Sequence, residues 1–128
     1  MKTLIADVKA FHEACGVPIR ETLSWPSIER IELRQDLVAE EVNVELFDAI
    51  TARDMVKTAD AIGDSIYVLV GMAVEFGIPL DRVWAAIQAA NMAKRGPDGK
   101  VKYREDGKVL KPDGWRPPDI AGVLGLAA

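Results

Sequence analysis

The sequence predicts an all-α subunit of the four-helix-bundle type, followed by an irregular C-terminal arm. Three observations carry this. Apolar residues recur at helical spacing in four stretches. Each stretch is bounded by capping or stop residues. From Gly96 the composition changes to turn sequences and prolines.

The first helix is expected at about residues 2–15, where Leu4, Ile5, Val8, Phe11 and Cys15 share a face and Gly16 is a stop signal. GVPIRETLSWPS, with two prolines, is a loop. Ser27 is a plausible N-cap, with Glu29 in the first turn. Ile28, Ile31, Leu37, Val38, Val42, Leu46 and Ile50 then define a second helix over about 28–51. Asp54 caps a third, over about 54–76, with Val56, Ala59, Ile62, Ile66, Leu69, Val70 and Ala73 apolar and Gly77 placed to end it. Pro79 opens a fourth helix, about 79–93, on Leu80, Val83, Trp84, Ile87 and Met92. Beyond it, GPDGK and REDGK are turns, and KVKY and KVLK are short extended candidates flanking the second one. WRPPDI cannot be helical across its prolines. AGVLGLAA is a weakly apolar tail.

The 128 residues, 49% hydrophobic, make one domain, 1–128, with 96–119 as a basic substrate or assembly arm. A chain this small is expected to complete its core in a homo-oligomer. The longest mostly apolar stretch, Ile62 to Val74, is interrupted by Asp64 and is too short to span a bilayer. MKTLIADVKAFHEA has no long apolar run before its first charge, so no signal peptide is expected. One cysteine, Cys15, excludes an internal disulfide framework and fits the cytoplasm. One histidine, His12, argues against His-rich zinc chemistry, Ser-His-Asp or Cys-His catalysis, and a di-iron bundle.

The net charge of −4 is unevenly spread. Residues 1–93 carry eight basic and fifteen acidic side chains, net −7; residues 94–116 carry eight basic and four acidic, net +4. An acidic body with a basic arm suits a ligand that joins a divalent cation to a polyanion, such as Mg²⁺-triphosphate. From charge alone, solvated acidic helices and basic turns are the simpler explanation.

The second helix carries AEEVNVELFDAI. Glu41 and Glu45 are four apart and share a face, with Glu40 and Asp48 on neighbouring faces. The third carries KTADAIGDSIYVLV, with Asp60 and Asp64 four apart. Asp64 lies among Ile62, Ile66, Tyr67 and Val68, so burial on most sides is expected, a position costly for a carboxylate unless paired or metal-bound. The short connection at Ala52–Asp54 makes the two helices antiparallel neighbours, so these carboxylates converge. Hard oxygen donors at this density fit Mg²⁺ or Mn²⁺ rather than zinc or copper. Taken alone, Glu40, Glu41 and Glu45 read as a solvated acidic face. Lys57, on the stripe of Asp60, can pair with Glu41, Glu45 or Asp60, or reach a phosphate. Asn91 and Lys94 close the fourth helix; an amide can read a hydroxyl or base edge and an ammonium can hold a phosphate. There is no Walker-type or GxGxxG loop. Trp25, Trp84 and Trp115 are expected as core or arm anchors rather than stacking platforms.

The order LRQDLVAEE, then DAIGDSIYVLVGMAVEFGIPLDRVW, then NMAKRGPDGKVKYREDGKVLKPDGWRPPDI resembles the MazG-like, phosphoribosyl-ATP pyrophosphohydrolase-like all-α NTP pyrophosphatases over about residues 3–122. The resemblance implies helical subunits in dimers or dimers of dimers. It also implies hydrolysis of an NTP or dNTP to the monophosphate and pyrophosphate, with Mg²⁺ on helix carboxylates. The family pattern is Glu-Glu-x-x-Glu on one helix and Glu-x-x-Asp on the next. Glu40 and Glu41 match the start, but the third glutamate falls on Val44, with Glu45 one residue later. Either a one-residue π-bulge realigns Glu45, or the ligand set differs. Asp60 matches the Asp; Lys57 stands where the pattern has Glu. Asp64 matches a further acid, and Asn91 and Lys94 match a substrate-side Asn-x-x-Lys. The resulting expectation is Mg²⁺ on Glu41, Glu45, Asp60 and Asp64, and water oriented by Glu40 or Glu41. Substrate would be bound by Asn91, Lys94, Lys57, Lys108 and Lys111, with no nucleic-acid or membrane partner. The alternative is a non-catalytic nucleotide-binding or regulatory protein on the same scaffold.

Overall fold

The structure, a computed structural model, describes residues 1–126; Ala127 and Ala128, the end of the predicted tail, lie outside the described residues. In chain order the helices are α1 (Lys2–Cys15), α2 (Ile28–Val38), a π-helix (Ala39–Leu46), α3 (Phe47–Thr51), α4 (Met55–Phe76), α5 (Leu80–Met92) and α6 (Ile120–Leu124). The all-α class is as expected, and among the described residues there is no strand, only an isolated bridge. The chain packs as two compact units, Met1–Leu80 and Asp81–Ala128.

In the first unit the boundary residues act as their chemistry dictates. Gly16 ends α1 in the left-handed region, φ 68°. The Ser27 hydroxyl accepts the Arg30 N–H at 3.3 Å, and the Asp54 carboxylate accepts the Lys57 N–H at 3.0 Å. Residues 28–51, expected as one α-helix, are helical throughout but change to i→i+5 bonding over Ala39–Leu46. Gly77 closes α4 at φ 70°, and a Cβ there would lie 2.0 Å from the Thr22 carbonyl oxygen, so only glycine fits. The 17–27 loop wraps that helix end. Arg20 N–H donates to the Val74 carbonyl, Arg20 Nη1 to the Glu75 carbonyl, and Ser24 N–H to the Phe76 carbonyl. These bonds satisfy carbonyls that a helix end leaves without partners.

α4 packs against α1, α2, the π-helix and α3. The apolar core is small: Val8, Val70 and Val74, with Ile5, Ile19 and Leu80 against them. Beside it sits a buried polar network. Glu75, with no exposed surface, accepts from Arg30 Nε at 2.5 Å, Arg30 Nη2 at 2.9 Å and Arg34 Nε at 2.6 Å. Arg34 Nη2 donates to His12 Nε2 at 3.2 Å, and His12 Nδ1 lies 3.0 Å from the Pro18 carbonyl oxygen. A carbonyl only accepts and a guanidinium only donates, so the histidine is neutral with its proton on Nδ1. Gly71 makes room for this: a Cβ there would come within 2.8 Å of Arg34 Nη1 and 3.2 Å of His12 Nε2. Nothing in the local sequence pattern marks His12 or Glu75 for this role.

Two burial expectations are corrected. Asp64 is exposed, because its neighbours Ile62, Ile66 and Tyr67 are themselves exposed in the single chain. Trp25, 80% exposed, is edge-on to Phe76 at 5.5 Å rather than in a core. Trp84 is also exposed.

In the second unit Trp115 anchors the arm, donating its indole N–H to the Ala90 carbonyl at 2.7 Å. The extended candidates flanking REDGK reduce to one antiparallel bridge, Tyr103 to Val109, with Gly107 in the turn between them. WRPPDI is non-helical up to Ile120, as its prolines require. α6 was not anticipated; Asp119 caps it by accepting the Gly122 N–H at 2.9 Å.

Candidate functional site

A cleft of about 590 Å³ opens in the first unit, lined by Glu41, Glu45, Asp48, Lys57, Asp60 and Asp64, together with Ala49, Ala52 and Ala61. The π-helix and α3 supply one wall and α4 the other. Ala49 and Ala61, both buried, are small enough to let these helices approach closely. Glu41, Glu45, Asp60 and Asp64 are thus brought to one cavity. Val44, at the position where the family pattern has a glutamate, is not in its lining, and Glu45 is. The segment that carries both is the one that is π-helical. Glu40 does not line the cleft. Asp48, seven residues after Glu41, does; that spacing was readable as a shared helix face.

The charge is concentrated and unbalanced. Glu41 is half-buried, and its carboxyl is held above the usual glutamate range, by burial first and then by Asp64, Glu40, Glu45 and Asp60. Lys57 is the lone cation in the lining. The ion pairs among the described residues are Lys9–Glu21, Arg30–Glu75, Arg34–Glu75 and Arg104–Asp106, so neither Lys57 nor any cleft carboxylate is paired.

These residues fit a hard divalent cation by donor type and by charge. Among the described residues no three His, Cys, Asp or Glu side chains already stand in a ligating group.

In the second unit a cavity of about 560 Å³ is lined by Lys94, Lys100, Lys102 and Lys111, with Asp98, Asp113 and the turn residues between them. Lys94 Nζ donates to Asn91 Oδ1 at 3.0 Å, joining the two residues of the Asn-x-x-Lys element. Lys111 is in this lining; Lys108 is not, and its side chain is exposed. Lys100 and Lys102 were overlooked among the arm's many charges, because nothing in their spacing singles them out.

A family model described as phosphoribosyl-ATP pyrophosphohydrolase matches residues 8–91 of this chain. An uncharacterized protein of Acanthamoeba polyphaga mimivirus is 45% identical over 53 residues, 41% of this chain. The matching segment spans 21% of that viral protein's length. The family match takes in every carboxylate of the cleft and ends at Asn91, before the lysines of the arm.

Proposed function

The chain belongs to the phosphoribosyl-ATP pyrophosphohydrolase family, a family of nucleotide pyrophosphohydrolases, and on that premise we propose that it cleaves a nucleoside triphosphate to the monophosphate and pyrophosphate with Mg²⁺ or Mn²⁺. The observation that carries this is the cleft: five carboxylates face one lysine, and one of the five already has a raised proton affinity. Such a cavity lowers its free energy by taking up a divalent cation. Glu45, Asp60, Asp64 and Glu41 are the residues that would hold it. Bound there, Mg²⁺ supplies polarisation of the phosphorus centre and neutralisation of phosphate charge.

The chain's own contribution is to place and deprotonate water. Glu41 suits this better than Glu40, being half-buried, in the cleft and more basic than an ordinary glutamate. The proton leaves the water for a Glu41 carboxylate oxygen as the water oxygen bonds to the α-phosphorus and pyrophosphate departs. Lys57 meets a phosphate oxygen as a point charge. Asn91 and Lys94, hydrogen-bonded to each other, carry the chemistry to hold a hydroxyl or base edge and a phosphate. Residues 1–128 serve this one activity, in the cytoplasm. The test is pyrophosphate release from a panel of NTPs and dNTPs with Mg²⁺ or Mn²⁺; folded protein that releases none from any of them would sink the proposal.

Lys57 supports a second reading, metal-independent nucleotide binding without turnover, because it puts an unpaired positive charge in the lining of the carboxylate cleft. Calorimetry in chelator separates the two, and turnover gained on Lys57→Glu would mark the lysine as what suppresses catalysis.

A further inference from the structure

We propose that Lys57 takes the place of a divalent cation, so that the cleft of this chain holds one such ion where an all-acid lining would hold two. This rests on the pyrophosphohydrolase reading and deepens it, by assigning how the same site is charged. The register of the two walls is the basis. The π-helix and α3 present Glu41, Glu45 and Asp48, which step by four and then three residues. On α4, Asp64, Asp60 and Lys57 step by four and then three in the opposite direction. The walls are joined by the short turn at Ala52–Asp54, closed by the Asp54 N–H donating to the Ala49 carbonyl at 3.1 Å, so they run antiparallel. Equal steps on antiparallel helices place the six residues as three rungs: Glu41 with Asp64, Glu45 with Asp60, and Asp48 with Lys57. The first rung is felt at Glu41, whose proton affinity Asp64 raises more than Asp60 does.

Two rungs are therefore acid against acid, and the third is acid against base. The acid–acid rungs gather the negative charge that a hard cation neutralises. At the third, the Lys57 ammonium offsets the Asp48 carboxylate without being locked to it, since neither is among the ion pairs of the described residues. By itself the lysine is poorly placed. It lies in the first turn of α4, where the positive end of the helix disfavours a cation and the Asp54 carboxylate is taken up by the Lys57 backbone N–H. The carboxylates of the cleft offset that cost. Spacing then decides what the lysine excludes. From Asp60 to Lys57 the helix rises about 4.5 Å, and the ions of two-metal sites stand about 3.5–4 Å apart. A glutamate at position 57 would extend the acid–acid set by one rung, at the step a second ion needs. A lysine there builds the positive charge into the chain and repels that ion.

Manganese alone is the probe. Electron paramagnetic resonance of free Mn²⁺, titrated with the full chain, counts bound ions per chain without any turnover. The parent should take one ion per chain and Lys57→Glu two. Lys57→Met removes the charge without supplying a ligand; it should keep one ion and bind it at least about threefold tighter. Asp48→Asn added to Lys57→Glu should return the count to one, because the extra ion needs both members of the third rung. Melting of each variant in Mn²⁺ checks that it is folded, and an acid in the first turn of α4 favours the helix. The proposal is overturned by a parent that takes two ions, a Lys57→Glu chain that takes one, a Lys57→Met chain that binds no more tightly, or a second ion that survives Asp48→Asn. A parent that takes none overturns it together with the metal-dependent reading. Pyrophosphate release, measured separately, tells the two apart. Release by a parent that takes two ions defeats this proposal alone, and one bound ion without release from any triphosphate defeats the catalytic reading alone.

Discussion

At Glu41 the charge of the cleft is felt as a raised proton affinity, and this has a sign. A carboxylate whose folded-state pKa lies above its unfolded value contributes stability at low pH and loses it as pH rises towards the folded value. Glu75 and His12 act the other way. Burial pushes the Glu75 carboxyl up, but the Arg30 and Arg34 guanidiniums more than offset it, so the net shift is down. His12 is lowered, by burial foremost, although the Pro18 carbonyl opposes the change. Both therefore contribute stability at neutral pH that is lost on acidification. Glu41→Gln isolates the first effect. In chelator at neutral pH this variant should melt about 2–4 °C higher than the parent, since like charges one helical turn apart destabilise by roughly 0.2–0.5 kcal/mol each. The gap should close as pH falls through the carboxylate range and Glu41 takes up its proton, earlier than an ordinary glutamate does. Pyrophosphate release should fall at least about a hundredfold in the same variant. A variant that melts lower than the parent in chelator would show that the carboxylate is paired rather than repelled.

Among the elements, the π-helix has the most specific consequence. An α-helix turns about 100° per residue, so deleting one residue rotates everything after it. Over Ala39–Leu46 the i→i+5 bonding absorbs an extra residue, so deletion of Val44 should return this stretch to α-helix and leave Ala49 buried and Asp48 at the cleft. The Val44 deletion should melt cooperatively within about 5 °C of the parent, whereas deletion of Gln35, in regular α-helix, should abolish the cooperative transition. Equal damage from both, read by circular dichroism, would refute the bulge as a register device. The element also shows how far the sequence could be read. Helix limits were legible because Gly16, Ser27, Asp54 and Gly77 carry their own signals. That the segment after Val38 departs from α geometry was only one of two alternatives, since Glu45 against Val44 is a mismatch of pattern and not of propensity. Asp64 was misjudged as buried because periodicity reports which residues are apolar and not whether one chain alone can cover them. The Glu75 network was invisible because its members lie far apart in sequence and each is an ordinary charged residue by itself.

For the whole molecule, the uncovered apolar surface of the first unit is the remaining problem. Phe47, Ile50, Ile62, Ile66 and Leu69 are all exposed, on α3 and α4. An apolar surface of this kind is the mark of an interface, and we propose that a second copy of the chain covers it. Light scattering should give at least twice the 14.0 kDa chain mass, and Ile66→Lys should shift it to one chain; a parent that runs as one chain at micromolar concentration would exclude the dimer. The same molecule holds a feature that bears on how it is made. Glu75 receives its hydrogen bonds from residues 41, 45 and 55 positions away along the chain. Until α2 has docked, an α4 already packed into place would hold a dehydrated, uncompensated anion, since Arg30 and Arg34 alone bond the Glu75 carboxylate and Arg20 bonds its backbone carbonyl. Half-assembled forms of the first unit are therefore penalised in proportion to how compact they are. Burial of the Glu75 carboxylate thus couples the docking of α2 to that of α4, because neither helix alone supplies both the anion and its guanidinium partners.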